Sequence, residues 1–98
     1  MTTEQLEFVT LDEYPDYEIL NQYPFIIRRK DNHHIVKERK YDDGYVSIML
    51  NQKYTLKHRI IAKQFIPNDD PEHKIHIGHI NRVRDDNHIE NLRWVTVS

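Results

Sequence analysis

The chain has 98 residues and a mass of 12.0 kDa, enough for one small domain with a modest core. Apolar residues make up 38% and charged residues 31%, which is polar for a globular domain, but six Tyr, three Phe and one Trp argue against a disordered chain. The absence of cysteine excludes disulfides and thiolate zinc sites.

No apolar stretch is long enough to span a membrane, and the acidic start resembles neither a signal nor a transit peptide. We therefore expect a soluble intracellular protein, cytoplasmic or nuclear, with no membrane partner.

The net charge of −2 conceals an uneven distribution along the chain. Residues 1–27 hold six acidic residues and no Lys or Arg, whereas residues 28–40 hold six basic residues and two acidic ones. Residues 41–98 hold eight of each sign. A dedicated binder of duplex DNA is usually basic overall, so the pattern allows a basic patch but not a basic protein.

Short runs of β-branched and aromatic residues predict strands in the first half of the chain, over residues 17–20, 25–29, 35–41 and 45–50. The Asp-Gly step at 43–44 predicts a hairpin between the last two. A turn at 51–52 leads to one more short strand, which reaches Tyr54.

Apolar residues then recur with the spacing of a helix that buries one face, which predicts a helix over residues 56–66. Ile75, Ile77 and Ile80 indicate another strand, residues 81–91 a long polar loop, and residues 92–95 a final strand.

The predicted fold class is therefore α+β. A small antiparallel β-sheet module over residues 14–55 is followed by the helix and by a strand–loop–strand unit over residues 73–98. Residues 14–98 form a single domain in this interpretation, and residues 1–13 form an acidic N-terminal segment.

Residues 73–96, HKIHIGHINRVRDDNHIENLRWVT, resemble the signature of the HNH endonucleases (His-Me finger, ββα-metal), in particular the homing enzymes of phages and introns. YTLKHRIIAKQFIPN, residues 54–68, resembles the helix that precedes the motif in that group, and YDDGYVSIML, residues 41–50, resembles a strand before it. PDYEILNQYPFIIRRK, residues 15–30, is a weaker match to the DNA-binding segment placed further upstream.

The resemblance implies two strands and a helix around one divalent cation. His79 matches the general base that removes a proton from the attacking water, and Asn91 matches the asparagine that fixes the loop so that the histidine points correctly. In that family an Asp beside the His and an Asn on the final helix hold the cation.

This sequence departs from the family at those ligands. Gly78 replaces the Asp beside the histidine, Asn81 replaces a second Asp, and the helix Asn would fall after Ser98, so most of the final helix is expected to be missing. Asn81 and Asn87 are weak candidate ligands, because a hard cation prefers carboxylates. We therefore expect no firmly bound cofactor, with Mg²⁺ or Mn²⁺ only if the site is active.

Nine basic residues are candidates for nucleic-acid binding. The six within residues 28–40 could hold phosphates across adjacent strands, or could form a solvated hairpin face. The three within residues 82–93 belong to the loop and strand that face the DNA minor groove in related nucleases. The candidates are Arg28, Arg29, Lys30, Lys37, Arg39, Lys40, Arg82, Arg84 and Arg93.

Three functions fit the sequence. The first is a catalytically degenerate HNH-derived module that binds nucleic acid or protein, with DNA as the expected partner. The second is an active, divalent-metal-dependent homing-type endonuclease with His79 as the general base. The third is an assembly protein whose groove, left open by the missing helix, binds a partner chain or a second copy in a homodimer.

Overall fold

The computed structural model describes residues 6–96. Within them the elements are, in chain order, β1 (Phe8–Thr10), β2 (Tyr17–Leu20), β3 (Ile27–Arg29), β4 (Glu38–Lys40), β5 (Val46–Leu50), β6 (Lys53–Leu56), α1 (Lys57–Phe65), β7 (His76–His79), a 3₁₀ turn (Ile89–Asn91) and β8 (Leu92–Val95). The strands pair antiparallel, which confirms the α+β class. The chain forms two compact units that divide between Val36 and Lys37.

The first unit is a three-stranded sheet in the order β1–β2–β3. The prediction of β2 is confirmed, and alternation along this strand buries Tyr17 and Ile19. Strand β1 lies in the acidic segment 1–13 and was not predicted; Val9 pairs with Ile19 in the ladder. A three-residue strand among acidic residues carries too little apolar alternation to be recognised.

Two predicted strands begin later than expected. Phe25 has a φ of +55° and a buried side chain, so β3 starts only at Ile27. Ile35 forms one isolated bridge to Arg28, and β4 starts at Glu38. Composition therefore predicted β3 and β4 to be longer than they are. An apolar residue such as Phe25 can be buried in the core without being part of a hydrogen-bonded strand.

The second unit contains a sheet in the order β4–β5–β6. The predicted Asp-Gly hairpin is confirmed: Gly44 has a φ of +90°, and the N–H of Tyr41 donates to the carbonyl of Tyr45. The next turn uses Asn51 and Gln52, both at positive φ (51° and 65°), as two-residue hairpins favour.

Helix α1 packs on this sheet through the apolar face that its spacing predicted. Ile60 and Ile61 are buried, as are Ile48 and Leu50 of β5. The observed bounds, Lys57–Phe65, lie one residue inside the predicted range at each end. Among residues 6–96 no helix has both the length and the apolar character needed to cross a membrane.

Strands β7 and β8 form a two-stranded sheet joined by a long loop, which confirms the predicted strand–loop–strand unit. The Nε1–H of Trp94 donates to the carbonyl of Ile66 at 2.9 Å, which ties β8 to the end of α1. Because His79 pairs with Leu92 in the ladder, the last residue of β7 lies beside the start of β8, where the loop closes.

Candidate functional site

His79 ends β7, and one of its ring nitrogens is fixed by a buried asparagine. Its Nε2 lies 2.8 Å from Oδ1 of Asn87, whose side chain is only 5% exposed. An amide oxygen only accepts hydrogen bonds, so this contact requires the proton on Nε2. The neutral ring of His79 then keeps its lone pair on Nδ1, as a proton acceptor needs.

Asn91 closes the loop that follows His79. Its Oδ1 accepts from the backbone N–H of Asn81 at 3.0 Å, and its Nδ2 donates to Oδ1 of Asn81 at 2.9 Å and to the carbonyl of Asp86 at 2.8 Å. The carbonyl of Asn91 also accepts from the N–H of Ile80 at 2.8 Å. This one buried side chain therefore joins both ends of the loop and its middle.

The carboxylate of Asp86 is engaged within the same loop. Its Oδ1 lies 2.6 Å from Nδ1 of His88, and its Oδ2 accepts from Nδ2 of Asn81 at 2.8 Å. The hydrogen bond from His88, and after it the one from Asn81, hold the pKa of Asp86 below its ordinary value. Asp86 thus serves as an internal acceptor of the loop.

Three rings from three separate elements meet around His79. The ring of His58, in the first turn of α1, lies edge-on to that of His79 with 4.9 Å between centroids. Tyr45, just before β5, packs against both, at 5.2 Å from His58 and 5.8 Å from His79. We call Tyr45 and His58 the ring pair. The sequence reasoning gave neither residue a role, although His58 stands in the helix stretch quoted for the resemblance.

His58 is buried and electrically neutral at physiological pH. Its side chain is 4% exposed, and burial, followed by the charges of His79 and Arg59, lowers the pKa of His58 to about 4. Its Nδ1 is buried with no hydrogen-bond partner among the described residues.

A side chain at the residue next to His79 would fit only tightly. Gly78 lies opposite Arg93 in the β7–β8 ladder, and a Cβ added to it would meet Cγ1 of Val95 at 3.3 Å. That separation is tighter than most carbon–carbon contacts, so a carboxylate at this position requires Val95 to shift.

The two weak candidate ligands have their oxygens engaged elsewhere. Oδ1 of Asn81 accepts from the N–H of Val83 and from Nδ2 of Asn91, and Oδ1 of Asn87 accepts from His79. Among residues 6–96 no cluster of three or more His, Asp or Glu side chains is arranged to hold a metal ion. The described residues therefore do not fit the divalent cation that the resemblance implies.

The basic residues of the first unit are occupied locally. Arg28 pairs with Glu18 at 2.7 Å, Arg29 pairs with Asp31 at 3.0 Å, and Lys30 donates to Thr10. The expectation that they lie on a strand adjacent to Lys37, Arg39 and Lys40 is wrong, because β3 and β4 belong to different sheets.

The remaining basic candidates lie in the second unit. Lys40 pairs with Asp85 at 3.1 Å, and Nη1 of Arg84 donates to the carbonyl of Asp43 at 2.8 Å while its guanidinium lies over Tyr45. Arg82, at a φ of +63°, and Arg93 are exposed on the loop and on β8.

Lys37 and Arg39 border a groove of about 350 Å³ on the β4–β5–β6 sheet. Met49 and Tyr54 also line it and are cross-strand partners, 42% and 59% exposed. We call these four residues the outer face, since Ile48 and Leu50 point to the opposite side of β5, toward α1. The sequence analysis gave Met49 and Tyr54 no role. Met49 lies between two buried residues of β5, so strand alternation would have placed this apolar side chain on the exposed face.

Comparison with known proteins agrees with the resemblance. Residues 55–98 match the family model described as HNH endonuclease. Over these residues, which make up less than half of its length, the chain is similar to the HNH endonucleases. A protein of Acanthamoeba polyphaga mimivirus, named as an uncharacterised HNH endonuclease, is 43% identical over 60 residues, which cover 56% of this chain and 15% of the relative.

The chain thus spans only a small part of that viral relative's length. No solved structure gives a significant match. We call residues 55–96 the HNH unit; it contains His58, His79, Asn87 and Asn91.

Proposed function

We propose that this chain binds DNA through an HNH scaffold that does not cleave it efficiently. The observation that carries this proposal is that Gly78, beside His79, has no side chain and that Val95 packs close to the place where a Cβ would lie. Where the family resemblance implies a carboxylate ligand, the chain has a residue without a side chain, and Cγ1 of Val95 lies 3.3 Å from the place of a Cβ. Without the cation, the charge that develops on the phosphate and on the leaving oxygen lacks its main stabilisation.

The outer face supports binding to DNA. Lys37 and Arg39 are exposed and supply positive charge for phosphates, while Met49 and Tyr54 supply apolar and aromatic contact area between them. Across the second unit, Arg82 and Arg93 add exposed positive charge on the loop and on β8.

A salt series tests the binding part of the proposal. Affinity for a labelled DNA duplex is measured by fluorescence anisotropy at several NaCl concentrations. Binding through phosphates makes log K fall linearly with log salt, by about 0.9 for each phosphate contact. No measurable binding at low salt, or binding indifferent to salt, contradicts the proposal. The second of these results indicates that the DNA is held through apolar contacts rather than through its phosphates.

A second candidate function is that of an active endonuclease with His79 as general base. The observation that favours it is the intact positioning of this histidine: Asn87 sets its tautomer and Asn91 fixes the loop around it. This candidate requires Mg²⁺- or Mn²⁺-dependent nicking that is lost in His79→Ala.

A further inference from the structure

His58 lies in the core with one ring nitrogen that makes no hydrogen bond to the described residues. It is 4% exposed, and its buried Nδ1 has no partner in the part of the chain that the structure describes. Burying an imidazole nitrogen without a hydrogen bond is unfavourable, so burial alone would favour an apolar residue here. What His58 does contact is the ring of His79, edge-on at a centroid distance of 4.9 Å.

Tyr45, from the hairpin, is the second ring that packs against His79. Its ring lies 5.8 Å from that of His79 at an angle of 42°, and 5.2 Å from His58. Arg84 also contacts Tyr45, since its guanidinium lies 5.0 Å from the Tyr45 ring centroid and its Nη1 donates to the carbonyl of Asp43. The hairpin, α1 and the loop between β7 and β8 therefore meet around the imidazole of His79.

Together these contacts limit how the His79 ring can turn. Asn87 fixes Nε2 by one hydrogen bond at 2.8 Å, which still allows rotation about that bond. The ring pair packs against His79 and opposes such rotation, because edge-on and tilted ring contacts have preferred geometries. Because burial, and after it the charges of His79 and Arg59, lower the pKa of His58 to about 4, the His58 ring carries no charge beside His79 at neutral pH.

We infer that Tyr45 and His58 are positioning residues that hold the His79 ring with Nε2 on Asn87 and Nδ1 free to accept a proton. The inference rests on His79 occupying the general-base position of the proposed HNH scaffold. The new point is that the chain keeps the orientation of the His79 ring, although Gly78 stands where the resemblance implies a metal-binding Asp.

Nitrogen-15 NMR of the His79 ring in the free protein tests the inference. The wild type is expected to show well-separated shifts for the two ring nitrogens at neutral pH, with the proton on Nε2. In His58→Ala the two shifts are expected to converge toward the averaged values of a freely exchanging imidazole. His58→Phe keeps a ring at the position and is expected to preserve the separation.

A second pair of variants, at Tyr45, tests the inference if His58→Ala does not fold. Tyr45 is only half-buried, so we expect Tyr45→Ala to fold and to reduce the shift separation of His79, whereas Tyr45→Phe preserves it. The inference is overturned if folded alanine variants leave the His79 shifts unchanged, or if the ring-retaining variants change them equally. These spectra need neither DNA nor metal, so their outcome is independent of the binding and nicking assays that test the proposed function.

Discussion

Asn91 and Asn81 hydrogen-bond to each other twice: Oδ1 of Asn91 accepts from the N–H of Asn81 at 3.0 Å, and Nδ2 of Asn91 donates to Oδ1 of Asn81 at 2.9 Å. A third bond runs from Nδ2 of Asn91 to the carbonyl of Asp86. The apolar side chains of Ile80 and Val83 in the loop between β7 and β8 are exposed, so these hydrogen bonds, rather than apolar burial, fix the shape of the loop. The position of Asn87, and through it the tautomer of His79, depends on that shape.

Asn91→Ala is therefore expected to destabilise the chain clearly. It removes three hydrogen bonds of a buried side chain, at about 1 kcal/mol each, so we expect the free energy of unfolding to fall by about 2–4 kcal/mol. Urea unfolding followed by circular dichroism measures this change. Asn32→Ala, which removes one exposed bond to the N–H of His34, is the matched control and should cost less than about 1 kcal/mol. Equal losses in the two variants would show that Asn91 does not hold the loop.

Stability should also fall between pH 7 and pH 5 because of His58. Its pKa is about 4 in the folded chain and 6.5 ordinarily, so the unfolded chain binds the extra proton as the pH falls below about 6.5. The contribution of neutral His58 is thus fully present above pH 6.5 and is lost progressively down to about pH 4. We expect the free energy of unfolding to be about 1–2 kcal/mol lower at pH 5 than at pH 7.

Urea unfolding at the two pH values measures that difference, and His58→Phe is the control, because it removes the titrating group and keeps a ring. Three carboxylates, those of Asp86, Asp69 and Asp31, have pKa values below their ordinary value. Their protonation therefore changes the stability only at a pH lower than the range from 5 to 7. An unchanged pH dependence in His58→Phe would mean that other groups cause it.

A carboxylate beside His79 should bring cleavage back in part. Gly78→Asp supplies a hard oxygen ligand, and Val95→Ala removes the methyl group that a Cβ at position 78 would meet at 3.3 Å. We expect plasmid nicking in Mg²⁺ to rise at least about tenfold over wild type in this double variant. Gly78→Asn with Val95→Ala has the same shape without the charge and should remain at the wild-type rate. Equal nicking by the two double variants would show that the missing charge is not what limits the site.

Reversing the charge of the outer face should weaken DNA binding. Lys37→Glu with Arg39→Glu removes two candidate phosphate contacts, so we expect the affinity to fall at least about tenfold and the slope of log K against log salt to decrease by about 2. Lys63→Glu with Arg59→Glu is the control, because both residues lie on α1, on the other side of the sheet from the outer face. Fluorescence anisotropy with a labelled duplex compares them. If the control pair weakens binding as much, net charge rather than the outer face determines the affinity.

Periodicity was sufficient to predict the regular elements in which one face is buried. Alternation in β2, the apolar spacing of α1 and the Asp-Gly hairpin before β5 all appear where the sequence indicated them. It failed where a side chain is buried outside a ladder, as at Phe25, and where a strand is too short to show a period, as in β1. Composition also could not show that β3 and β4 belong to different sheets.

The site was predictable to the extent that it depends on spacing along one segment. His79 and Asn91 follow from the motif, and the structure places both at the base of one loop. The contacts of Tyr45 and His58 with His79 join a hairpin, a helix and a strand that are far apart in the chain. The closeness of Val95 to Gly78 likewise depends on the register of β7 with β8, which no sequence spacing specifies.

Plasmid nicking at neutral pH tests the central claim most directly. Wild-type protein and His79→Ala are incubated with supercoiled plasmid in Mg²⁺, in Mn²⁺ and in EDTA, at a salt concentration at which wild type binds DNA. We expect bound but intact plasmid, with no difference between the two proteins in any of the three conditions. Metal-dependent nicking by wild type that His79→Ala abolishes would contradict the account and would identify the chain as an active HNH endonuclease.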